Sequence, residues 1–155
     1  IDYNDTSTTT TPLVLTADTW TTIPNDGLGA FTNKNTPPTG VTELMDTSTG
    51  AIDPTELNLG DQLVIRNDYS ITPQTNNSLL EFRYSLGGGG NEYTLPTIVG
   101  RLDSGSGQAY RFSLKPDYIY LGDTNTKDNP IILQVKLSTG ATLVNAGSVI
   151  GVIKR

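Results

Sequence analysis

Gly87-Gly88-Gly89-Gly90 is the stretch whose residue type most directly offers chemistry, because glycine lets successive backbone N–H groups converge on a phosphate. A phosphate loop also needs Lys-Ser or Lys-Thr after the glycines and a helix beyond them, whereas Asn91-Glu92-Tyr93 leads back into a strand. The run reads as a flexible strand connection, a loop tip suited to a subunit or ligand contact. Asp123, Asn125 and Asp128 have the alternation of a calcium loop. The EF-hand pattern, however, places ligands at its first, third and fifth positions and glycine at the sixth, and here Lys127 holds the fifth and Asp128 the sixth. A polar crossing loop whose Asp and Asn bond their own backbone fits better.

Paired-carboxylate catalysis needs two acids aimed at one cleft, and the acidic residues are scattered over nearly every loop. Asn4-Asp5-Thr6 and Asn76-Asn77-Ser78 match the glycosylation triplet, which arises by chance in a Thr- and Asn-rich chain and indicates exposure at most. Trp20, the single tryptophan, reads as core or subunit interface rather than sugar platform, because lectin-like sites present more than one exposed aromatic. Histidine and cysteine are both absent. That removes the usual proton shuttle at neutral pH, the imidazole and thiolate metal ligands, the thiol nucleophile and the disulfide. No catalytic, cofactor-binding or metal-binding residue is assigned, and the expected activity is binding or assembly rather than catalysis.

Charge narrows the partners. Ten Lys and Arg against 16 Asp and Glu give a formal net charge of -6. With no basic block, nucleic acid and anionic membranes are poor partners. No apolar run approaches the roughly 20 residues that cross a bilayer, and no signal peptide opens the chain. Ile1 is not an initiator methionine. Without cross-links, stability must come from packing or oligomerisation.

The elements that must position any site are short strands cut by Gly, Asn, Asp, Thr and Pro. Residues 1–11 are polar and Thr-rich, with little to bury, and read as an extended N-terminal arm ordered by a neighbour. Residues 12–155 suffice for one domain. Leu13 to Leu15 and Trp20 to Ile23 are short β-prone pieces, Pro24 to Gly27 is a turn, and Asn33 to Gly40 an exposed loop. Val41 to Met45 connects through Thr47 to Gly50 with Ala51-Ile52, as in a hairpin. The strongest alternation lies at Leu63, Ile65, Tyr69 and Ile71 and again at Leu80, Phe82, Tyr84 and Leu86, which predicts two long strands forming a central antiparallel hairpin. Further strands are expected at Tyr93 to Leu95, Ile98 to Leu102, Tyr110 to Leu114 after the Ser104-Gly105-Ser106-Gly107 link, Ile131 to Leu137, Leu143-Val144 and Val149 to Ile153. So many strands at intervals of about 8–12 residues predict an all-β antiparallel sandwich, with a jelly roll as first choice.

Several short pieces together carry a resemblance. Ile1-Asp2-Tyr3-Asn4-Asp5-Thr6, Asn25-Asp26-Gly27-Leu28-Gly29, Leu57-Asn58-Leu59-Gly60-Asp61 leading to Val64-Ile65-Arg66-Asn67-Asp68, and Tyr118-Ile119-Tyr120-Leu121-Gly122-Asp123 with Asn129-Pro130 later span almost the whole chain. In combination the chain resembles small virion structural proteins of tailed bacteriophages. The resemblance implies a jelly roll like those of the tumour-necrosis-factor and complement-C1q group, a trimer, and a place on the particle surface; no catalytic residues come with it. The chain departs from it at Ala146-Gly147-Ser148-Val149, where an aromatic residue is expected to enter the last strand. The expected function is a non-enzymatic, trimeric capsid decoration or cement protein bound to the major capsid protein through the arm. A tail-fibre or receptor-binding tip protein, or a lectin-like module for host surface glycans, is the alternative.

Overall fold

The computed structural model describes residues 1–103 and 107–155, so Ser104-Gly105-Ser106 of the expected link lies outside the described residues. In chain order the elements are β1 (Asp2–Asn4), α1 (Ser7–Thr10), β2 (Leu13–Leu15), β3 (Thr21–Thr22), β4 (Met45–Asp46), β5 (Ala51–Ile52) and β6 (Gln62–Pro73). There follow β7 (Ser78–Leu86), β8 (Tyr93–Leu102), β9 (Tyr110–Ser113), β10 (Asp117–Tyr120), α2 (Thr124–Lys127), β11 (Ile132–Leu137) and β12 (Ala141–Ile153). Two antiparallel sheets pack face to face. In the first, β12 pairs with β6 along its length, β1 and β2 flank β12, and β9 and β10 flank β6. The second runs β3-β11-β7-β8. The chain thus crosses between sheets in the strand order of a jelly roll, and the expected all-β sandwich is the observed fold.

The alternation works as read, but the two strongest strands are not a hairpin. Leu63, Ile65, Tyr69 and Ile71 are buried on β6, as are Leu80, Phe82, Tyr84 and Leu86 on β7. These strands belong to different sheets, however, with β6 paired to β12 and β7 to β11 and β8. Two strands with one apolar face each bury more by facing one another across the core than by lying side by side. The Tyr69 and Phe82 rings accordingly stack across the interface at 4.9 Å. The pieces expected at 93–95 and 98–102 are one strand, β8, and the two terminal pieces are one bulged strand, β12.

The core is divided. One apolar cluster gathers Leu63, Ile65, Leu86 and Ile150, and a second gathers Ile71, Leu80, Phe82 and Leu143. Between them β6, β7 and β12 each contribute a polar group. The Asn67 amide donates to the Tyr84 hydroxyl at 2.8 Å, and Ser148 Oγ donates to Asn67 Oδ1 at 2.6 Å. Satisfied in this way, the buried amide costs little; orphaned, it would cost about 1–3 kcal/mol.

Residues 1–11 are not a free arm. β1 pairs with Gly147, Ser148 and Val149 of β12, Tyr3 is fully buried, and Asp5 and Thr8 are nearly so. Thr8 Oγ1 accepts the Asn145 N–H at 2.8 Å, while Asp5 accepts from Ser7 and Thr8 and so holds α1 in place. What the low apolar content concealed is that this segment buries hydrogen-bonded polar groups around a single tyrosine. Gly147 admits it: with φ +142°, a Cβ here would stand 2.3 Å from the Tyr3 carbonyl oxygen.

Two sets of variants test this core by chemical denaturation. Ile65→Ala or Phe82→Ala is expected to cost about 2–5 kcal/mol and Arg66→Ala under about 1. Tyr84→Phe, which strips Asn67 of its acceptor, is expected to cost about 1–3 kcal/mol. Tyr69→Phe is expected to be close to neutral, since the buried Tyr69 hydroxyl has no hydrogen-bond partner among the described residues.

Candidate functional site

A cleft of about 430 Å³ opens at one end of the sandwich, between the β4–β5 hairpin and the start of β11. Its position follows from one bridge: Ile52 and Ile131 exchange backbone hydrogen bonds at 2.9 and 2.8 Å, pinning the hairpin beside the strand. Ala51, Pro130 and Ile132 give the lining apolar surface, and Asp46, Asp53 and Asp128 give it carboxylates. Each carboxylate is engaged. Asp46 accepts from Ser48, Asp53 accepts the Thr55 N–H at 3.0 Å, and Asp128 pairs with Lys127 at 2.5 Å. The Ser48 hydroxyl and N–H hold Asp46 below the usual carboxylate range, so it stays ionised and has no proton to donate at neutral pH. Among the described residues no three acidic side chains gather as a metal site.

The two loops weighed for phosphate and calcium are brought together. Asp123 caps α2, accepting from the Thr126 N–H at 2.8 Å, so it bonds its own backbone as expected. Asn125 then clasps the glycine run: its Oδ1 accepts the Gly88 N–H at 3.1 Å and its Nδ2 donates to the Asn91 carbonyl at 2.9 Å. A Cβ on Gly88 would stand 2.3 Å from Asn129 Oδ1. The first two glycines are therefore a fitted contact rather than a flexible link, and only Gly89 and Gly90 face open space. Asn76 is exposed, as its triplet implied, whereas Asn4 is partly buried within β1.

Trp20 lies neither in the core nor free. The Arg83 guanidinium sits 4.0 Å and the Lys136 ammonium 4.9 Å from its ring centroid, on the side of β7 and β11 opposite the core. Arg83 is held in turn by Gln134 at 2.7 Å and Lys136 by Glu81 at 2.7 Å. Two cations beside one ring stabilise the outer surface of the second sheet.

The outer surface of the first sheet is different. Tyr118 and Tyr120 on β10 are 66% and 57% exposed, and they sit in register with Val64 and Gln62 of β6. Across β6 the rows continue to Gly151 and Ile153 of β12, with Val149 one row further. Exposed Tyr118 and Tyr120 on β10 and Val149 and Ile153 on β12 thus share one face with the partly buried Val64 between them, and Gln62 and Arg66 stand in the same rows. The period-2 pattern could have flagged it, because Tyr118, Tyr120 and Ile153 fall on the parity opposite the buried Ile119 and Ile150.

Beside the N-terminal strand, Tyr3, Glu43 and Lys34 form a triad. The Tyr3 hydroxyl donates to Glu43, Lys34 pairs with Glu43 at 3.1 Å, and the Lys34 ammonium lies 5.2 Å from the centroid of the Tyr3 ring. Burial pushes the Tyr3 hydroxyl well above its usual range, and the Glu43 carboxylate adds to the shift. Burial also tends to raise Glu43, but the Tyr3 hydroxyl and the Lys34 ammonium together outweigh it and leave its pKa lowered. A carboxylate with a lowered folded pKa contributes stability above its unfolded pKa and loses it as pH falls through the folded value. Glu43→Gln is therefore expected to lower the melting temperature at pH 7, the difference from the parent shrinking as pH is taken down through the acidic range. A difference independent of pH would contradict the triad.

No protein-family model matches the chain, and no curated protein matches it either.

Proposed function

We propose that the chain is a non-enzymatic surface protein of a tailed-phage virion, a trimer that decorates and stabilises the head against the major capsid protein. The observation that carries this reading is the apolar band of Tyr118, Tyr120, Val64, Val149 and Ile153 on the outside of the first sheet. A band of this kind on a chain without cross-links is best explained as a surface covered by copies of itself. Its charge, -6 overall, suits a solvent-facing particle protein and not a nucleic-acid binder.

Attachment through a loose arm has no support in a segment whose tyrosine is buried and whose backbone is paired, so contact with the shell belongs to the globular surface. The cleft with its three aspartates favours the second reading, a tail-fibre or receptor-binding tip that takes a glycan or another hydroxyl-rich ligand. Light scattering at micromolar concentration is expected to give a trimer, and Tyr118→Lys with Tyr120→Lys a folded monomer. A monomeric parent would remove the trimer. Binding of the parent to host cells and not to purified heads would replace decoration with the second reading.

A further inference from the structure

Among the described residues, the two most exposed large apolar side chains lie outside the band and outside the cleft. Leu28 is 71% and Phe31 83% exposed, on a single tight turn between Gly27 and Thr32. Scattered apolar residues on a surface need no explanation, but this turn is held unusually firmly. Thr32 closes it, its N–H donating to the Gly29 carbonyl at 3.1 Å and its hydroxyl to the same oxygen at 2.8 Å. Asn4 of β1, with its amide oxygen turned to the loop, accepts the Phe31 and Thr32 N–H groups at 2.9 and 3.0 Å. Asp26 accepts the Leu28 N–H at 3.1 Å and, from the other side, the Thr6 N–H at 3.0 Å. Gly29 lies so close to β1 that a Cβ would fall 1.8 Å from that of Asn4. The sheet thus presents two apolar side chains on a backbone that has already lost its freedom, which is the arrangement of a preorganised binding anchor.

We infer that Leu28 and Phe31 are the anchor by which this protein docks on a neighbouring virion protein, inserting into an apolar pocket with a basic rim. The charge around the turn selects this occupant. Asp26 lies directly beneath it and stays ionised: burial opposes this, but the Thr6 hydroxyl and the Thr6 and Leu28 N–H groups hold its pKa down. Lys34, the nearby cation, is already paired with Glu43. An acidic base under an apolar tip repels anionic lipid. A second copy of this chain, with its formal net charge of -6, is repelled in the same way.

The inference rests on the virion reading, and the two can fail separately. The probe is purified heads lacking the chain, to which the full-length parent and the Leu28→Ser, Phe31→Ser double variant are added. Both side chains point to solvent, so the variant is expected to keep the parent's melting temperature and its oligomeric state. Its affinity for heads is expected to fall about 30-fold or more. Gly29→Ala, which displaces the turn without altering either anchor, is expected to weaken attachment as well. Equal binding by parent and double variant would overturn the anchor and leave the virion reading standing. A parent that does not bind heads would overturn both. Binding of the parent to phosphatidylcholine vesicles that the double variant lacks would assign the anchor to lipid, and a change of oligomeric state in the variant would assign it to a second copy; either result overturns the docking proposed here.

Discussion

The close passage of the Tyr3 backbone over Gly147 is the contact on which the rest of this structure depends. β12 carries a bulge between Asn145 and Gly147, and the N-terminal segment fills the space it opens. Asn145 Nδ2 donates to the Pro24 carbonyl at 3.0 Å and its Oδ1 accepts the Gly147 N–H at 3.0 Å, while Asn25 Nδ2 reaches the Tyr3 carbonyl at 3.2 Å. One glycine without a Cβ therefore lets three distant stretches meet: the first residues, the turn at 24–27 and the last strand. The turn bearing Leu28 and Phe31 is ordered by the same strand, and the ring of Tyr3 seals the core beneath the loop that holds Glu43.

Polar groups inside the sandwich follow from the same geometry. The inward-facing row of β6 runs Leu63, Ile65, Asn67, Tyr69, Ile71, and the asparagine falls where β12 bulges and Ser148 turns inward. A hydrocarbon at Asn67 would leave Ser148 and Tyr84 without their partner. A polar row of this kind also resists sliding, because a shift of one residue would send every buried group on the strand to the opposite face. Both outer surfaces inherit their character from this fixed register. On the second sheet Arg83 and Lys136 lie over Trp20, with Leu79 exposed on the same strand as Arg83, and on the first Tyr118, Tyr120 and Ile153 stand exposed beside Gln62 and the Arg66–Asp68 pair.

The strands were legible in the sequence wherever side-chain period and pleat coincide, as at 63–71, 80–86 and 131–137. Their partners were not. Alternation states which face is buried and is silent on what covers it, so β6 and β7 read as a hairpin although they face each other across the core. The N-terminal segment reads as an arm because hydrophobicity counts neither Asp5 nor Thr8 as interior, and only the hydrogen-bond network makes them so. A signal was present in Gly147, since an isolated glycine within a strand pattern marks a bulge or a close backbone approach. The clasp between Asn125 and the glycine run joins residues 37 apart, and no local pattern encodes it.

The proposed virion role is tested most directly by localising the chain in a cryo-electron reconstruction of a tailed-phage particle that carries it. The account predicts three copies about a threefold axis on the head surface, their Tyr118 and Tyr120 faces buried against one another and each Leu28–Phe31 turn seated on the shell. Copies at the tail tip, or single copies on the head whose first-sheet faces meet only solvent, would contradict it.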